Sequence, residues 1–381
     1  MREQREQFLA GLLVNRADLA GLPFRKGKGC RLDRGTAEDL DRTSQEVRAR
    51  LVRFPGGARR GPVQDREYPE YPASMALQVY EGLARDGHLR DPAALPALEQ
   101  ILTGELVPVR LALVQYLQAP SDTAGVAAAL ARRAVFDPSA EVRQEAVRGL
   151  RDRPAAAYLP ILLCGLRHPW PPANYNAAAA LTALGAEGAV PDLLRVLDAP
   201  DPRSPFEVTE GGKRVWAVRE LVRVNHHGSC LLCHAPSFTR DDLVRAPVPS
   251  PFEPLPSPVR YYAERGATAG GLFVRADVTY LRQDFSEILP VENAKPWPRL
   301  QRFDFLVRVR PLTRGEVQAW HRREQLAGPS TPPASHQAAV FALRGLTGLD
   351  GGYTADSWRK ALAHAGPRGP VSPASADVRG R

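Results

Sequence analysis

Five consecutive residues concentrate the chemistry of this chain: Cys230-Leu231-Leu232-Cys233-His234. Two thiols separated by two residues, with an imidazole directly after, can do three things. The thiols can add to the vinyl groups of a haem while the imidazole ligates its iron, thiolates and imidazole can hold zinc, or the thiols can exchange with a disulfide. The spacing favours the first. Two intervening residues let both sulfurs reach one porphyrin edge, and one further residue brings an imidazole under the metal. A zinc site would recruit His226 or His227 to complete four ligands. Adjacent Cys233 and His234 turn poorly toward one tetrahedral ion, however, and no second cysteine pair exists to complete a ribbon. Thiol exchange lacks the βαβ context that usually carries it.

With Gly228-Ser229 before it and Ala235-Pro236-Ser237 after it, the pentad resembles the haem-attachment motif of c-type cytochromes over about ten residues. The resemblance implies covalent haem c on Cys230 and Cys233, His234 as the proximal iron ligand, and a role in electron transfer. It also implies a periplasmic or otherwise extracytoplasmic location, since bacterial haem attachment to this motif occurs outside the cytoplasm. One departure matters. Many such proteins use a downstream methionine as second axial ligand, and here the only methionines are Met1 and Met75. The distal position is therefore histidine or open, with His226, His227, His321 and His336 as candidates. The N-terminus pulls the other way. Phe8 to Val14 is short and interrupted by Gly11, without a signal-peptide core or cleavage site. A cytoplasmic, zinc-braced protein is the alternative expectation.

The elements that must position this motif are mostly helical. Val109, Val142 and Tyr175 recur at steps of 33, and each starts a column at i, i+4, i+8: Leu113, Ala146 and Ala179, then Leu117, Leu150 and Ala183. A second column, Leu95-Pro96, Leu159-Pro160 and Val190-Pro191, keeps a related period. Two helices per unit at such a period indicate an α-solenoid, because one pair cannot bury its apolar face alone. The stretch from Asp137 to Leu150 resembles the second helix of a HEAT repeat, and the likeness extends over residues 89–200. It implies a surface for a protein partner.

The expected architecture is mainly α. It has an N-terminal helical region (1–88) and HEAT-like repeats (89–228). A region with the haem motif, a Pro-rich stretch and a small β-hairpin follows (229–312), then a C-terminal helical cap (313–365) and a disordered tail (366–381). Helices are expected over 3–20, 38–54 and 73–86. Val215, Val218 and Val222 suggest a further helix docked on the solenoid end. Alternation over 272–280 and 303–309 predicts two strands forming the hairpin. The Pro-rich stretch 246–258 reads as irregular. Thr313 and Glu316 form a capping-box pattern at the start of a helix over 313–326, and helices over 335–348 and 354–364 follow.

Composition narrows the partners. The net charge is +9, but the arginines are dispersed and no basic stripe interleaves with aromatics, which argues against nucleic acid. No apolar run approaches the ~20 residues of a membrane span. Cys164, among Ile161, Leu162 and Leu163, reads as core. Cys30 reads as a free thiol in a basic loop, and His168 and His88 as surface or cap residues. No Ser-His-Asp order, phosphate loop, HExxH or paired-carboxylate motif marks an enzyme.

Overall fold

The computed structural model describes residues 30–31, 95–105, 107–118, 124–239, 241–242, 245–253, 273–297, 299–326 and 331–365. The expected helices over 3–20, 38–54 and 73–86, the tail, Met75 and His88 lie outside these residues.

Among the described residues, seven helices run from 95 to 197: α1 (Leu95–Leu102), α2 (Val107–Gln118), α3 (Ala124–Phe136), α4 (Ala140–Leu150), α5 (Ala155–Leu166), α6 (Pro171–Ala183) and α7 (Val190–Leu197). They stack side by side around one continuous apolar core. The turn before α4 shows how sequence sets the unit. Ser139 accepts a hydrogen bond from the Val142 amide, and Asp137 accepts one from the Ser139 amide. Asp137 is fully buried and receives both Nε and Nη2 of Arg110, tying this turn to the preceding unit.

The column Val109, Leu113, Leu117 and its successor Val142, Ala146, Leu150 all point inward. The third unit departs from the expected step. Tyr175 is 43 % exposed, and Ala179 and Ala183 face outward with it. The buried column is Ala173, Ala177 and Leu181, each at 0 % exposure, a step of 31 that also aligns His168-Pro169 with Asp137-Pro138. The linking segment is two residues shorter than the previous one, so counting by 33 overshoots onto the outer face. Close packing here depends on Gly165: a Cβ would come within 2.8 Å of Val135 and 2.9 Å of Ala177. The same helix corrects the reading of Cys164, which is exposed. Leu162 and Leu166 take the inward positions on α5, and Cys164 falls between them on the outer side.

After α7 the chain leaves the stack. Strands β2 (Phe206–Glu210) and β3 (Lys213–Asn225) form a hairpin closed by Gly211-Gly212, whose φ angles of 54° and 78° both lie in the left-handed region. The valines of 215–222 therefore belong to a strand, not to a docked helix. Their spacing fits either period, and the long antiparallel ladder from Ala217–Pro311 to Asn225–Phe303 decides for the strand. That ladder is with β8 (Leu300–Pro311), which also pairs with β7 (Phe285–Pro290), giving a sheet of order β2-β3-β8-β7.

A second sheet is centred on β6 (Phe273–Thr279). It is flanked by β1 (Cys30–Arg31) and β4 (His234–Ser237), with β5 (Arg245–Pro247) also pairing to it. The two strands expected to form a hairpin thus lie in different sheets, and the β region is two four-stranded sheets rather than a small hairpin. β5 also runs into the start of the Pro-rich stretch; Pro247 ends it, where a missing amide hydrogen is tolerated. Cys30 lies in a strand, not a loop.

Helix α9 (Arg314–Leu326) opens with the expected capping box. The Thr313 hydroxyl accepts from the Glu316 amide, and Glu316 accepts from the Thr313 amide. Then α10 (Ala334–Thr347) and α11 (Ala355–Ala365) return to the stack, where α10 lies against α6 and α7 and extends the same core. His336 Nε2 meets the Ala199 carbonyl at 2.8 Å, where the chain had left it.

The inward column predicts a sharp contrast in α6. Leu181→Ala should cost about 2–5 kcal/mol as a cavity in a fully buried site. Tyr175→Ala, two positions from the buried column, should cost less than about 1 kcal/mol. Urea unfolding monitored by circular dichroism measures both. Equal costs would restore the 33-residue step.

Candidate haem-attachment site

The sheet containing β3 and β8 has two working faces. On one, Leu221, Phe305 and Phe285 join the core of the helical stack. Phe285 stacks on Trp170 at 4.3 Å and on Phe305 at 4.5 Å. On the other, Val222, Val224 and Leu306 pack against Leu232 and Cys233. The motif is thus seated on the far side of a sheet whose near side is anchored in the solenoid.

The chain enters the motif from β3. The His226 amide donates to the Arg302 carbonyl at 3.0 Å, extending the ladder by one rung. A 3₁₀ turn (His227–Ser229) follows, and then a single helical turn, α8, spanning Cys230–Cys233. His234 already has extended geometry and starts β4. Both thiols therefore lie on one turn, and the imidazole leaves it along a strand.

The three residues differ in their surroundings. Cys230 is partly exposed, with its sulfur 3.3 Å from the His227 carbonyl. Cys233 is 4 % exposed, and its sulfur lies 3.9 Å from Gln283 Oε1. Burial pushes its thiol pKa up to about 12, and the nearby Asp304 carboxylate adds to the effect. His234 points Nδ1 at the Val278 carbonyl, 3.0 Å away. Burial pulls its pKa down, against the opposing pull of hydrogen bonds to backbone. Backbone contacts to Val278 and Arg275 hold the ring in one orientation beside the turn.

Behind the turn is a charged network that sequence reading missed. Asp304 is 3 % exposed. It receives Ser286 Oγ at 2.6 Å and Arg302 Nε at 2.9 Å, and faces His226 Nδ1 at 2.7 Å. Burial alone would raise the pKa of its carboxyl, but Arg302 and His226 outweigh that and hold it well below the usual carboxylate range. Arg302 also reaches the Gln100 carbonyl on α1 at 2.7 Å. The residues at 302 and 304 occupy the polar half of an alternating strand, a pattern that suggests a solvated face. What buries them is the layer laid over this face, His226 at the entrance to the motif and Gln100 of α1.

The candidate distal histidines separate in space. His226 and His227 flank the turn, their rings 5.6 Å apart, with His227 edge-on to Trp297. His321 packs with Trp216 and Trp320, toward the opposite end of β3, about 30 Å along an extended strand from Asn225. His336 is engaged with Ala199 at the end of the stack. His168 is not a surface residue: it faces Asp284 at 3.2 Å, where the solenoid meets β7, and Phe136 lies against its ring. Among the described residues, no group of three or more His, Cys, Asp or Glu side chains is arranged to hold a metal ion. No described helix is long and apolar enough to cross a membrane.

Residues 126–204, from α3 through α7, match the family model for HEAT repeats. No curated protein and no solved structure matches the chain.

The Asp304 network gives a pH signature. A carboxyl with a depressed folded-state pKa contributes stability that is fully present above its unfolded value and is lost as pH falls through the folded one. Stability should therefore decline below about pH 4. Asp304→Asn should flatten that decline and lower stability at pH 7 by on the order of 3 kcal/mol, because Arg302 loses its buried counter-ion. Urea midpoints from pH 7 to pH 3 provide the check, and an unchanged acid limb in the variant would remove Asp304 as its source.

Proposed function

We propose that this chain is a protein-interaction scaffold whose HEAT-type stack carries a β-module bearing a covalent haem, held by Cys230, Cys233 and the proximal ligand His234. The observation that carries the haem assignment is the joint geometry of the pentad. Its two thiols share one helical turn, and the imidazole that follows is fixed through Nδ1 on a backbone carbonyl. The donor set fits the group, since haem c asks of the protein two thiols and one imidazole. Zinc asks for three or four converging side chains, which makes it the weaker reading of these residues. A haem bound there supplies a one-electron iron couple, and the role assigned to it is electron transfer rather than turnover.

The chain's own residues do the positioning. Val278 sets the His234 ring, β3 and β8 seat the turn, and Asp304 fixes His226 beside it. His226 and His227 are the distal candidates that this arrangement favours. Attachment to the motif places the protein outside the cytoplasm. The stacked repeats support the scaffold role, because such solenoids present extended surfaces to protein partners.

One observation favours a second reading. Cys233 sits in an apolar cluster with Val224, Leu232 and Leu306, as a cysteine does when it only packs. In that case the module braces the stack and holds no cofactor.

Production alongside the cytochrome c maturation machinery separates the two. Covalent haem should give a Soret band that survives acid-acetone extraction, and Cys230→Ser with Cys233→Ser should abolish that retention. His234→Ala should keep the attached haem but alter its spectrum. A colourless protein of unmodified mass would leave the bracing role.

A further inference from the structure

We infer that the solenoid latches the motif: helix α1, through Gln100, holds the cover over Cys233, so that Cys233 is reached only when this contact opens while Cys230 is reached throughout. The inference builds on the haem reading for its consequence, but the latch is a property of the protein alone.

The two thiols are three residues apart and yet lie on opposite sides of a boundary. Cys230 is partly exposed, whereas Cys233 faces inward at 4 % exposure. What closes over the Cys233 sulfur on the solenoid side is Gln283, whose Oε1 lies 3.9 Å from it. Within the β-module the Gln283 side chain is met only at Oε1, which also accepts from the Arg282 amide at 3.3 Å. Its Nε2 donates to Gln100 Oε1 at 2.8 Å, across 183 residues of sequence. The same residue of α1 offers its backbone carbonyl to Arg302 Nη1 at 2.7 Å. Gly104, just beyond α1, lets Arg302 lie flat: a Cβ there would come 2.6 Å from its side chain. Both contacts on Gln100 are buried, and both meet the strands and loop that enclose Cys233. Separation of α1 from the module removes the anchor on Gln283 Nε2 and frees its side chain to swing off the sulfur, while, among the described residues, no contact links Cys230 to Gln100.

The consequence concerns the order of bond formation. Cys230 would be the first thiol open to a vinyl-bearing tetrapyrrole: its sulfur would bond one vinyl carbon, its hydrogen would pass to the other, and no oxidant would be consumed. Cys233 would be withheld from the second thioether until the latch opened.

The test needs no haem. Reduced protein is treated with N-ethylmaleimide, and each cysteine is followed by peptide mass spectrometry. Cys230 should be modified at least ~100-fold faster than Cys233, as expected for a site that reacts only on opening. Gln100→Ala, which never touches either sulfur, should speed Cys233 by ~10-fold, the effect of losing one buried hydrogen bond, and leave Cys230 unchanged. Equal rates at the two cysteines, or an unchanged Cys233 rate in a folded Gln100→Ala protein, would overturn the latch. Should that variant not fold, the wild type decides in a urea series. Labelling of Cys233 at urea concentrations that leave the helical circular dichroism intact supports a local opening, and labelling only with global unfolding overturns it. A protein that never takes up haem but shows this labelling pattern refutes the cofactor and keeps the latch.

Discussion

The buried carboxylate of Asp304 is the constraint on which the arrangement of this molecule turns. It sits in the middle of a strand, almost without solvent, and cannot remain ionised there unless charge and hydrogen bonds surround it. Arg302, Ser286 and His226 do this. Each belongs to a different part of the module: the same strand, the neighbouring strand and the entrance to the motif. Satisfying one carboxylate therefore fixes the register of β7 on β8 and the position at which the chain turns toward Cys230. Arg302 carries the constraint outward, since its Nη1 reaches the Gln100 carbonyl on α1 while Nη2 stays on Ser286. A polar network that must be complete or absent thus joins the helical and β parts at the point where the motif lies.

Apolar contacts also cross the junction and give it a different character. Trp170, Phe285 and Phe305 form a run of stacked rings from the turn before α6 into the sheet. They bury area without specifying position as strictly as the Asp304 contacts do. Nearby, His168 and Arg133 both approach Asp284. The solenoid therefore uses the turns within its helix pairs to grip its own module. The outer faces of α4, α6 and α10 stay clear of that contact and expose Gln144, Tyr175 and Phe341.

Much of this was legible in the sequence where local chemistry decides. The Asp137-Pro138-Ser139 turn, the Thr313–Glu316 capping box and the inward columns of α2 and α4 are local or periodic signals, and they hold. Legibility fails where distant pairing decides. Val215, Val218 and Val222 carry both periods, and pairing selects the strand, with β2 for Val215 and with β8, some ninety residues away, for Val218 and Val222. Cys164 was misplaced because a run of apolar neighbours hides which side of α5 is inward. The Asp304 network was invisible for a related reason: alternation tells which residues share a face but not whether another layer covers that face. The pentad itself was plain from the outset. Its unequal thiols were not, because the residue that covers Cys233 comes from a loop fifty positions away, and its anchor comes from the opposite direction along the chain.

The way the chain leaves and rejoins the stack affects how the fold is reached. Ala199 and His336 meet at 2.8 Å although 137 residues separate them. Helices α2 to α6 can pair with neighbours only a turn away, so their contacts form at small entropic cost. The last position in the stack cannot be filled that way: α10, which packs on α6 and α7, lies beyond the whole β segment in the chain. Contacts of that range are slow to form. The greatest loop-closure cost therefore falls at the far end of the stack, where α10 covers the core face of α7 with Leu193 and Val196.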